Sequence, residues 1–291
     1  MAKSRLQIAK RDIVALFDRA EDRVYRRKDI SGVLAEHREF WRLRQDETVD
    51  SLIEFLIRSG RLKRARFEFP WRAETRYAWG NVPLYELIGS INPEAYFSHF
   101  TAMYLHELST QIPKTIYVNA EQSAKPRLVG SLSQDQIDTA FRRPPRTTSN
   151  RARFRGYSIC MLNGKHTEQL GVLDMTGPED VKVRVTSVER TLIDIVVRPN
   201  YAGGVFEVLE AYRRAHGRVS VNRLAAFLEQ LDYVYPYHQA IGFYLERAGT
   251  YKPSQVDLLR KSTFEVDFYL CHGMKETAYS KEWRLFFPKG F

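Results

Sequence analysis

Cationic side chains crowd one stretch near the amino terminus, SGRLKRARFEFPWRAETRYAWG, which covers residues 59–80. The alternation of side chains along a strand places Arg64 and Arg66 on one face of LKRARFEF. Phe67 and Phe69 fall on the other face, which can pack on the preceding helices. Arginines presented in this way suit contact with a phosphate backbone, although a hairpin with a solvated charged face has the same pattern.

A second basic stretch, RRPPRTTSNRARFR, covers residues 142–155 and contains six arginines, two prolines and no acidic residue. This composition predicts a loop or linker rather than a helix or strand. Its arginines form a second predicted basic patch: Arg142, Arg143, Arg146, Arg151, Arg153 and Arg155.

Three helices are predicted ahead of the first basic stretch. Apolar residues recur at helical spacing from Ser4 to about Ala20, and KDISGVLAE predicts a shorter helix at residues 28–36. Asp46 or Thr48 can cap a third helix over VDSLIEFLIRSG, which Gly60 ends. Two strands joined by the turn at residues 70–74 follow. The order of three helices and a hairpin predicts a winged helix-turn-helix domain over residues 1–82.

In such a domain the hairpin, or wing, lies along the DNA backbone, and the third helix approaches a groove. Asp46, Glu47 and Asp50 at the start of that helix repel phosphates, so the backbone contact by the wing is the stronger prediction. Arg38, Arg42 and Arg44 can offset these acids, or can simply be solvated. The predicted DNA-contacting residues are Thr48, Ser51, Phe55, Arg58, Arg61, Lys63, Arg64, Arg66, Arg72 and Arg76.

Residues 83–291 predict a larger mixed α/β domain rich in helices, which makes the whole chain α+β. A helix is expected from Pro93 to Leu108, and another over SVERTLIDIVVRP. Further helices are predicted over GGVFEVLEAYRRA, NRLAAFLEQLD and HQAIGFYLERAG. The predicted strands are KTIYVNAE, residues 157–162, residues 181–185, FEVDFYL and WRLFFP.

The formal charge of +10 and the pI near 9.5 favour an acidic partner, which can be a nucleic acid, an anionic membrane surface or an acidic protein. No run approaches the roughly 20 apolar residues that span a bilayer, so we expect neither export nor membrane insertion. Cys160 and Cys271 stand far apart without a CxxC pair, which fits a reducing cytoplasm and no cysteine-rich zinc site.

The residue pattern for nucleotidyl transfer is incomplete. That chemistry needs a Gly-Ser turn and two carboxylates on one strand face to hold magnesium. Gly130-Ser131 is followed too closely by Asp135, and Asp135 and Asp138 stand three apart in a predicted helix.

Other enzyme signals are weak. Glu265 and Asp267 share a predicted strand face and are the candidate ligands if the protein is a metal-dependent nucleotidyltransferase or nuclease. His99 and His106 lack the HExxH spacing and are expected to be core or surface histidines. We therefore predict no catalytic residue, metal or cofactor.

Four stretches carry a resemblance to a known family: HELSTQIPKTIYV, TSVERTLIDIVVRPNYAGGVFEVLEAYRRA, LDYVYPYHQAIGFYLERAG and EWRLFFPKGF. Together they resemble AbiEi-type antitoxins of type IV toxin-antitoxin systems, and the resemblance extends from the winged helix to the end of the chain.

This resemblance implies a bacterial phage-defence protein with two roles. The winged helix would bind inverted repeats in its own promoter as a repressor. The second domain would neutralise a nucleotidyltransferase-like toxin without a stable complex, and the family suggests basic patches on that domain. The acidic start of the third helix departs from a typical recognition helix. A winged-helix regulator that senses a small ligand among the helices after Val185 remains an alternative.

Overall fold

The structure, a computed structural model, describes residues 4–125 and 132–291, and the chain divides into two compact units. The first unit runs to Pro93 and includes two later segments, residues 151–155 and 176–182. The second unit contains residues 94–150, 156–175 and 183–291. Both units combine helices with strands, which confirms an α+β fold. The predicted Gly130-Ser131 turn lies outside the described residues.

The first unit contains the three predicted helices and the predicted hairpin, and the predicted boundary near Val82 falls inside it. Its elements are α1 (Arg5–Arg19), β1 (Val24–Tyr25), α2 (Arg27–His37), α3 (Val49–Arg58), β2 (Leu62–Glu68), β3 (Ala73–Trp79) and α4 (Leu84–Gly89). The strands form a sheet in the order β1-β3-β2, in which β3 is antiparallel to both neighbours.

The apolar stripe of α3 explains why this helix forms and where it packs. Leu52, Ile53 and Leu56 are almost completely buried, and each contributes about 1.5–3 kcal/mol of burial free energy. Of the two predicted N-caps, Asp46 and Thr48, the structure has Thr48. Gly60 follows the helix with a φ of 76°, a left-handed conformation that favours glycine.

The remaining elements, in chain order, alternate short strands with helices until a run of five helices. They are β4 (Tyr96–Phe97), α5 (His99–Leu105), β5 (Thr115–Glu121), α6 (Gln134–Arg142), β6 (Arg151–Phe154), β7 (Tyr157–Gly164), β8 (Val172–Thr176), β9 (Lys182–Thr186), α7 (Val188–Val197), α8 (Val205–Ala215), α9 (Val221–Leu231), α10 (Tyr237–Ala248), α11 (Pro253–Arg260), β10 (Phe268–Tyr269), β11 (Thr277–Ser280) and β12 (Leu285–Pro288). Of these, β6 belongs to the first unit.

The second unit is organised around the strand order β7-β5-β4-β9-β8. Strand β5 runs parallel to β7, with Thr115 opposite Ser158, and β4 is antiparallel to β5 and parallel to β9. A smaller sheet has the order β10-β12-β11. Among the helices of this unit, α7 is buried along nearly its whole length, including the charged residues Glu189, Arg190 and Asp194. The predicted helices α7 to α10 are all confirmed.

Three predictions of local structure are wrong in part. The helix predicted from Pro93 starts only at His99, because Tyr96 and Phe97 pair with β5 and Phe97 also pairs with Val185 of β9. In FEVDFYL, only Phe268–Tyr269 forms a strand. Residues 151–154 of the predicted basic loop form β6.

No helix in the described part of the chain is both long and apolar enough to cross a membrane.

Candidate nucleic-acid interface

The hairpin of β2 and β3 separates its charged and apolar side chains as predicted. Arg64 and Arg66 are exposed, whereas Ala65 and Phe67 are buried on the inner face. Phe67 packs against Phe154 of β6 rather than into the core of the three helices, with ring centroids 4.5 Å apart and ring planes tilted by 41°. The inner face is therefore held by aromatic packing, and the outer face meets solvent.

The outer arginines of the hairpin are paired with carboxylates. Arg64 Nη2 lies 2.5 Å from Glu54 of α3, and the Arg64 guanidinium also stands over the Tyr77 ring at 5.9 Å. Arg66 Nε lies 3.1 Å from Glu68. These groups are all about half exposed or more. An exposed ion pair stabilises a protein by about 0–1 kcal/mol, so a DNA phosphate can replace the carboxylate as the partner of the arginine at little cost. The negative charge of the carboxylate stays nearby.

The other predicted cations of the hairpin region have weaker or partly shared contacts. Arg72 pairs with Glu74 at 3.1 Å, and Arg61 lies 3.9 Å from Asp18. Lys63 donates to the side-chain carbonyl of Asn81.

Arg58, at the end of α3, donates through Nε to the backbone carbonyl of Glu54 at 3.3 Å. No carboxylate in the described part of the chain forms an ion pair with Arg58. Arg58 is therefore the cation of this group with the most available guanidinium.

The start of α3 offers little to a DNA groove. The Thr48 hydroxyl accepts from the Ser51 backbone N–H at 3.1 Å, and the Ser51 hydroxyl accepts from the Thr48 N–H at 3.1 Å. This reciprocal capping occupies both predicted contact residues. Asp50 forms a bidentate ion pair with Arg27, which donates through Nε at 2.9 Å and through Nη2 at 2.8 Å. Arg27 holds the pKa of the Asp50 carboxyl below its ordinary value. The exposed face of α3 is therefore acidic, and Arg27 neutralises part of it.

Arg76 was predicted to contact DNA, and the structure contradicts this role. Its side chain is only 6% exposed. It donates to the backbone carbonyls of Ser90 at 3.0 Å and Ile91 at 2.8 Å. The strand register explains the error: Arg76 lies opposite Ala65, on the inner face, whereas Thr75 lies opposite the outward Arg66.

Sequence reasoning missed Trp71, which projects from the hairpin turn with 83% of its surface exposed. The turn is closed by the Phe69 N–H, which donates to the Arg72 carbonyl at 3.1 Å. A large aromatic residue directly after Pro70 in a turn was the available signal, because such a side chain has no core to enter. A flat ring at this tip can stack on a base or enter a minor groove.

The second basic patch does not form a single surface within one unit. Arg142, Arg143 and Arg146 belong to the second unit, and Arg142 ends α6, 3.9 Å from Asp138. Arg151, Arg153 and Arg155 belong to the first unit. On β6 the exposed Arg151 and Arg153 alternate with the buried Ala152 and the half-buried Phe154. Arg155 stacks on the ring of Phe154 at 5.2 Å.

The alternative metal site at Glu265 and Asp267 is not assembled. Neither residue lies in a strand, so they do not share a strand face. Asp267 accepts from Arg284 Nε and from the Tyr279 hydroxyl, both at 2.8 Å. Burial would raise the pKa of Asp267, but these hydrogen bonds lower it below the ordinary value. The carboxylate is thus already neutralised by Arg284.

The other residues considered as metal ligands or catalytic groups make contacts within the fold. Asp138 lies on α6 as predicted and accepts from Gln134 at 2.7 Å and from the Tyr269 hydroxyl at 3.0 Å. His99 and His106 are both buried, and His106 Nε2 contacts the Thr186 carbonyl at 2.6 Å. Among the described residues, no group of three or more His, Cys, Asp or Glu side chains is arranged to hold a metal ion.

Comparisons with known proteins identify a similar structure but no family. No family model and no curated protein matches the chain. Among solved structures, the RV2827C protein from Mycobacterium tuberculosis is similar, with a TM-score of 0.62 and 17% sequence identity. The match covers 96% of this chain and 90% of that chain. At this identity the similarity establishes a shared fold and no shared activity.

Proposed function

We propose that this protein binds double-stranded DNA through its first unit and represses its own promoter, and that it also acts as an antitoxin. The observation that carries the proposal is the exposed cationic face of the β2–β3 hairpin, mounted on three packed helices. The excess of 45 basic over 35 acidic residues adds a favourable long-range field for a polyanion.

The order of elements supports a winged helix-turn-helix as the fold of the first unit. Helices α2 and α3 follow one another, and the β2–β3 hairpin comes directly after α3. Strand β1 completes a three-stranded sheet in the order β1-β3-β2. In DNA-binding domains of this order, the second helix of the pair approaches a groove and the hairpin lies along the backbone.

Contact with the DNA backbone is favoured over base readout. The hydroxyls of Thr48 and Ser51 are used in capping, and the exposed side of α3 carries Asp50 and Glu54. The cations that remain exposed are Arg58, Arg61, Lys63, Arg64, Arg66 and Arg72. We propose that these residues neutralise phosphates and that Trp71 anchors the tip of the wing. Affinity then depends steeply on salt, because bound counterions are released.

The repressor and antitoxin roles rest on the resemblance to AbiEi-type antitoxins. The partners proposed on that basis are inverted repeats in the promoter and a nucleotidyltransferase-like toxin that forms no stable complex with this chain. Inverted repeats require two copies of the first unit at matching half-site spacing, bound as a dimer or cooperatively as monomers.

The DNA test is a binding titration on a duplex from upstream of the protein's own gene, repeated at several salt concentrations. Exchanging Arg64 and Arg66 for alanine is expected to weaken binding to all duplexes about equally and to flatten the salt dependence. Arg214→Ala is the matched control, since Arg214 is an exposed arginine on α8 of the second unit. Binding that is absent, or insensitive to salt, contradicts the proposal.

The antitoxin test is separate and uses living cells. The neighbouring open reading frame is expressed alone and together with this protein, and growth is measured. Growth inhibition that this protein relieves supports the antitoxin role. A neighbour that is harmless alone, or equally toxic in the presence of this protein, contradicts it.

A further inference from the structure

A cavity of about 840 Å³ lies entirely within the second unit. Residues after the ends of the parallel strands β5 and β7 form one side, including Gln122 and Lys165. Helix α7 forms another side, with Arg190 near its start, Asp194 in its second half and Arg198 directly after its end. Ligands of α/β sheets bind at the carboxyl ends of parallel strands, and pockets of roughly 300–1,000 Å³ are typical of small-molecule sites.

The cavity is lined by more positive than negative side chains. Five cations line it, Lys125, Arg146, Lys165, Arg190 and Arg198, against two carboxylates, Asp194 and Asp232. Asp194 is already bound to Arg190, with Nε 2.8 Å from Oδ1. Arg198 is half-buried, and neither it nor Arg146 forms an ion pair with a carboxylate of the described chain. A concave wall with excess positive charge concentrates anionic ligands.

A fixed polar network supports this cationic wall. Arg190 donates through Nη1 to the Leu170 carbonyl at 2.6 Å and to the Thr167 hydroxyl at 3.2 Å. Burial by itself lowers the pKa of Arg190, but the Asp194 carboxylate more than offsets it, so this pKa lies above its ordinary value. Arg190 therefore stays charged and held, while Arg198 and Arg146 remain available to a ligand.

Aromatic and amide groups line the same cavity. Tyr201 lies beside the buried His99, with ring centroids 5.6 Å apart, and Lys165 Nζ stands 5.5 Å from the Tyr233 ring centroid. Asn163 also lines the cavity. A bare phosphate ion needs none of these groups, whereas a nucleoside needs a flat apolar surface and a hydrogen-bonding edge. The combination favours a ligand with both a phosphate chain and a ring.

His99 at the cavity wall has a φ of 51°, which is uncommon for a residue with a side chain. Such backbone strain persists only where the surroundings fix it, and it is frequent at ligand sites. From these observations we propose that the cavity binds a nucleoside di- or triphosphate, with Arg198 and Arg146 on the phosphates and Tyr233 against the base.

The experiment is isothermal titration of the full chain with ATP, GTP, CTP and UTP in separate runs, without DNA. At least one nucleotide is expected to bind with a Kd of about 1 mM or below. Arg198→Gln and Arg146→Gln are each expected to weaken this binding by about tenfold, since each removes a charge-assisted contact. Arg142→Gln is the matched control, because Arg142 is an exposed arginine of the same stretch that does not line the cavity. The Arg142→Gln variant should bind the nucleotide with the same Kd as the unchanged protein.

Three results would each overturn the proposal: no saturable binding of any of the four nucleotides, equal binding by the control and both cavity variants, or binding of inorganic pyrophosphate as tight as that of the best nucleotide. The last result identifies a plain anion site. Arg146→Gln keeps the test decisive if Arg198→Gln fails to fold, since Arg146 is exposed. The titration needs no DNA, so its outcome is independent of the DNA-binding proposal.

Discussion

Replacing Glu54 by glutamine tests directly whether the hairpin faces a phosphate backbone. Glu54 pairs with Arg64 at 2.5 Å, and the side chains are 50% and 46% exposed. If Arg64 contacts a phosphate, the Glu54 carboxylate lies about 7 Å from that phosphate and repels it by about 0.6 kcal/mol in water. Glu54→Gln removes this repulsion and frees the guanidinium. The fold should tolerate the change, since exposed pairs contribute only about 0–1 kcal/mol.

Two quantities follow for the binding titration. Affinity for duplex DNA is expected to rise about threefold at low salt, the equivalent of 0.6 kcal/mol. Salt screens the repulsion that the variant removes, so the affinity advantage of Glu54→Gln is expected to shrink as the salt concentration rises from roughly 50 to 200 mM. Fluorescence anisotropy with a labelled duplex measures both quantities.

The control for this variant is Glu21→Gln, which removes the same charge from an exposed carboxylate of the first unit just after α1. Glu21 forms no ion pair with another described residue. We expect it to change affinity by less than the Glu54 variant and to leave the salt slope unaltered. Unchanged or weaker DNA binding by Glu54→Gln would refute the reasoning, because Arg64 would then not face phosphate.

Three further predictions concern single residues. Arg76→Ala removes the donor from one buried and one partly buried backbone carbonyl and is expected to lower the free energy of unfolding by about 2–4 kcal/mol in urea denaturation. Arg72→Ala, at an exposed position, should lower it by less than about 1 kcal/mol; equal losses would contradict the buried role of Arg76. Trp71→Ala should leave stability within about 0.5 kcal/mol and lower DNA affinity by about tenfold; unchanged affinity would show that the tip does not touch DNA. Burial lowers the pKa of His99 to about 4 from 6.5, so the unfolded chain binds the proton first and stability falls as pH drops from about 6.5 to 4, by up to about 3 kcal/mol. Urea midpoints at several pH values should show that His99→Asn, which tolerates the positive φ, loses this part of the pH dependence; an equal dependence in the variant would contradict it.

The sequence predicts elements well where one strong local pattern decides the outcome. The stripe on α3, the alternation of β2 and the buried run of α7 were all located correctly, because each buries one face or the whole of a regular element. Strand β4 was missed since two residues carry no period, and its formation depends on distant partners such as Val185.

The candidate site was harder to predict than the fold. Whether Arg76 points inward depends on the register between two strands, which a composition-based argument does not specify. The pairing of Arg64 with Glu54 joins a strand to a helix and is equally invisible to local spacing. The cavity in the second unit is built from several separate segments, so no motif in the sequence marks it.

The return of residues 151–155 to the first unit has a consequence for synthesis on the ribosome. The hairpin leaves the exit tunnel long before Phe154, the aromatic residue that packs against Phe67. Until β6 is synthesised, the apolar face of β2 is uncovered in the nascent chain, where it can bind chaperones or pair with strands of other chains and aggregate. We therefore expect a fragment that stops at residue 93 to be a poor stand-alone module, and engineering that transplants the hairpin should carry β6 with it.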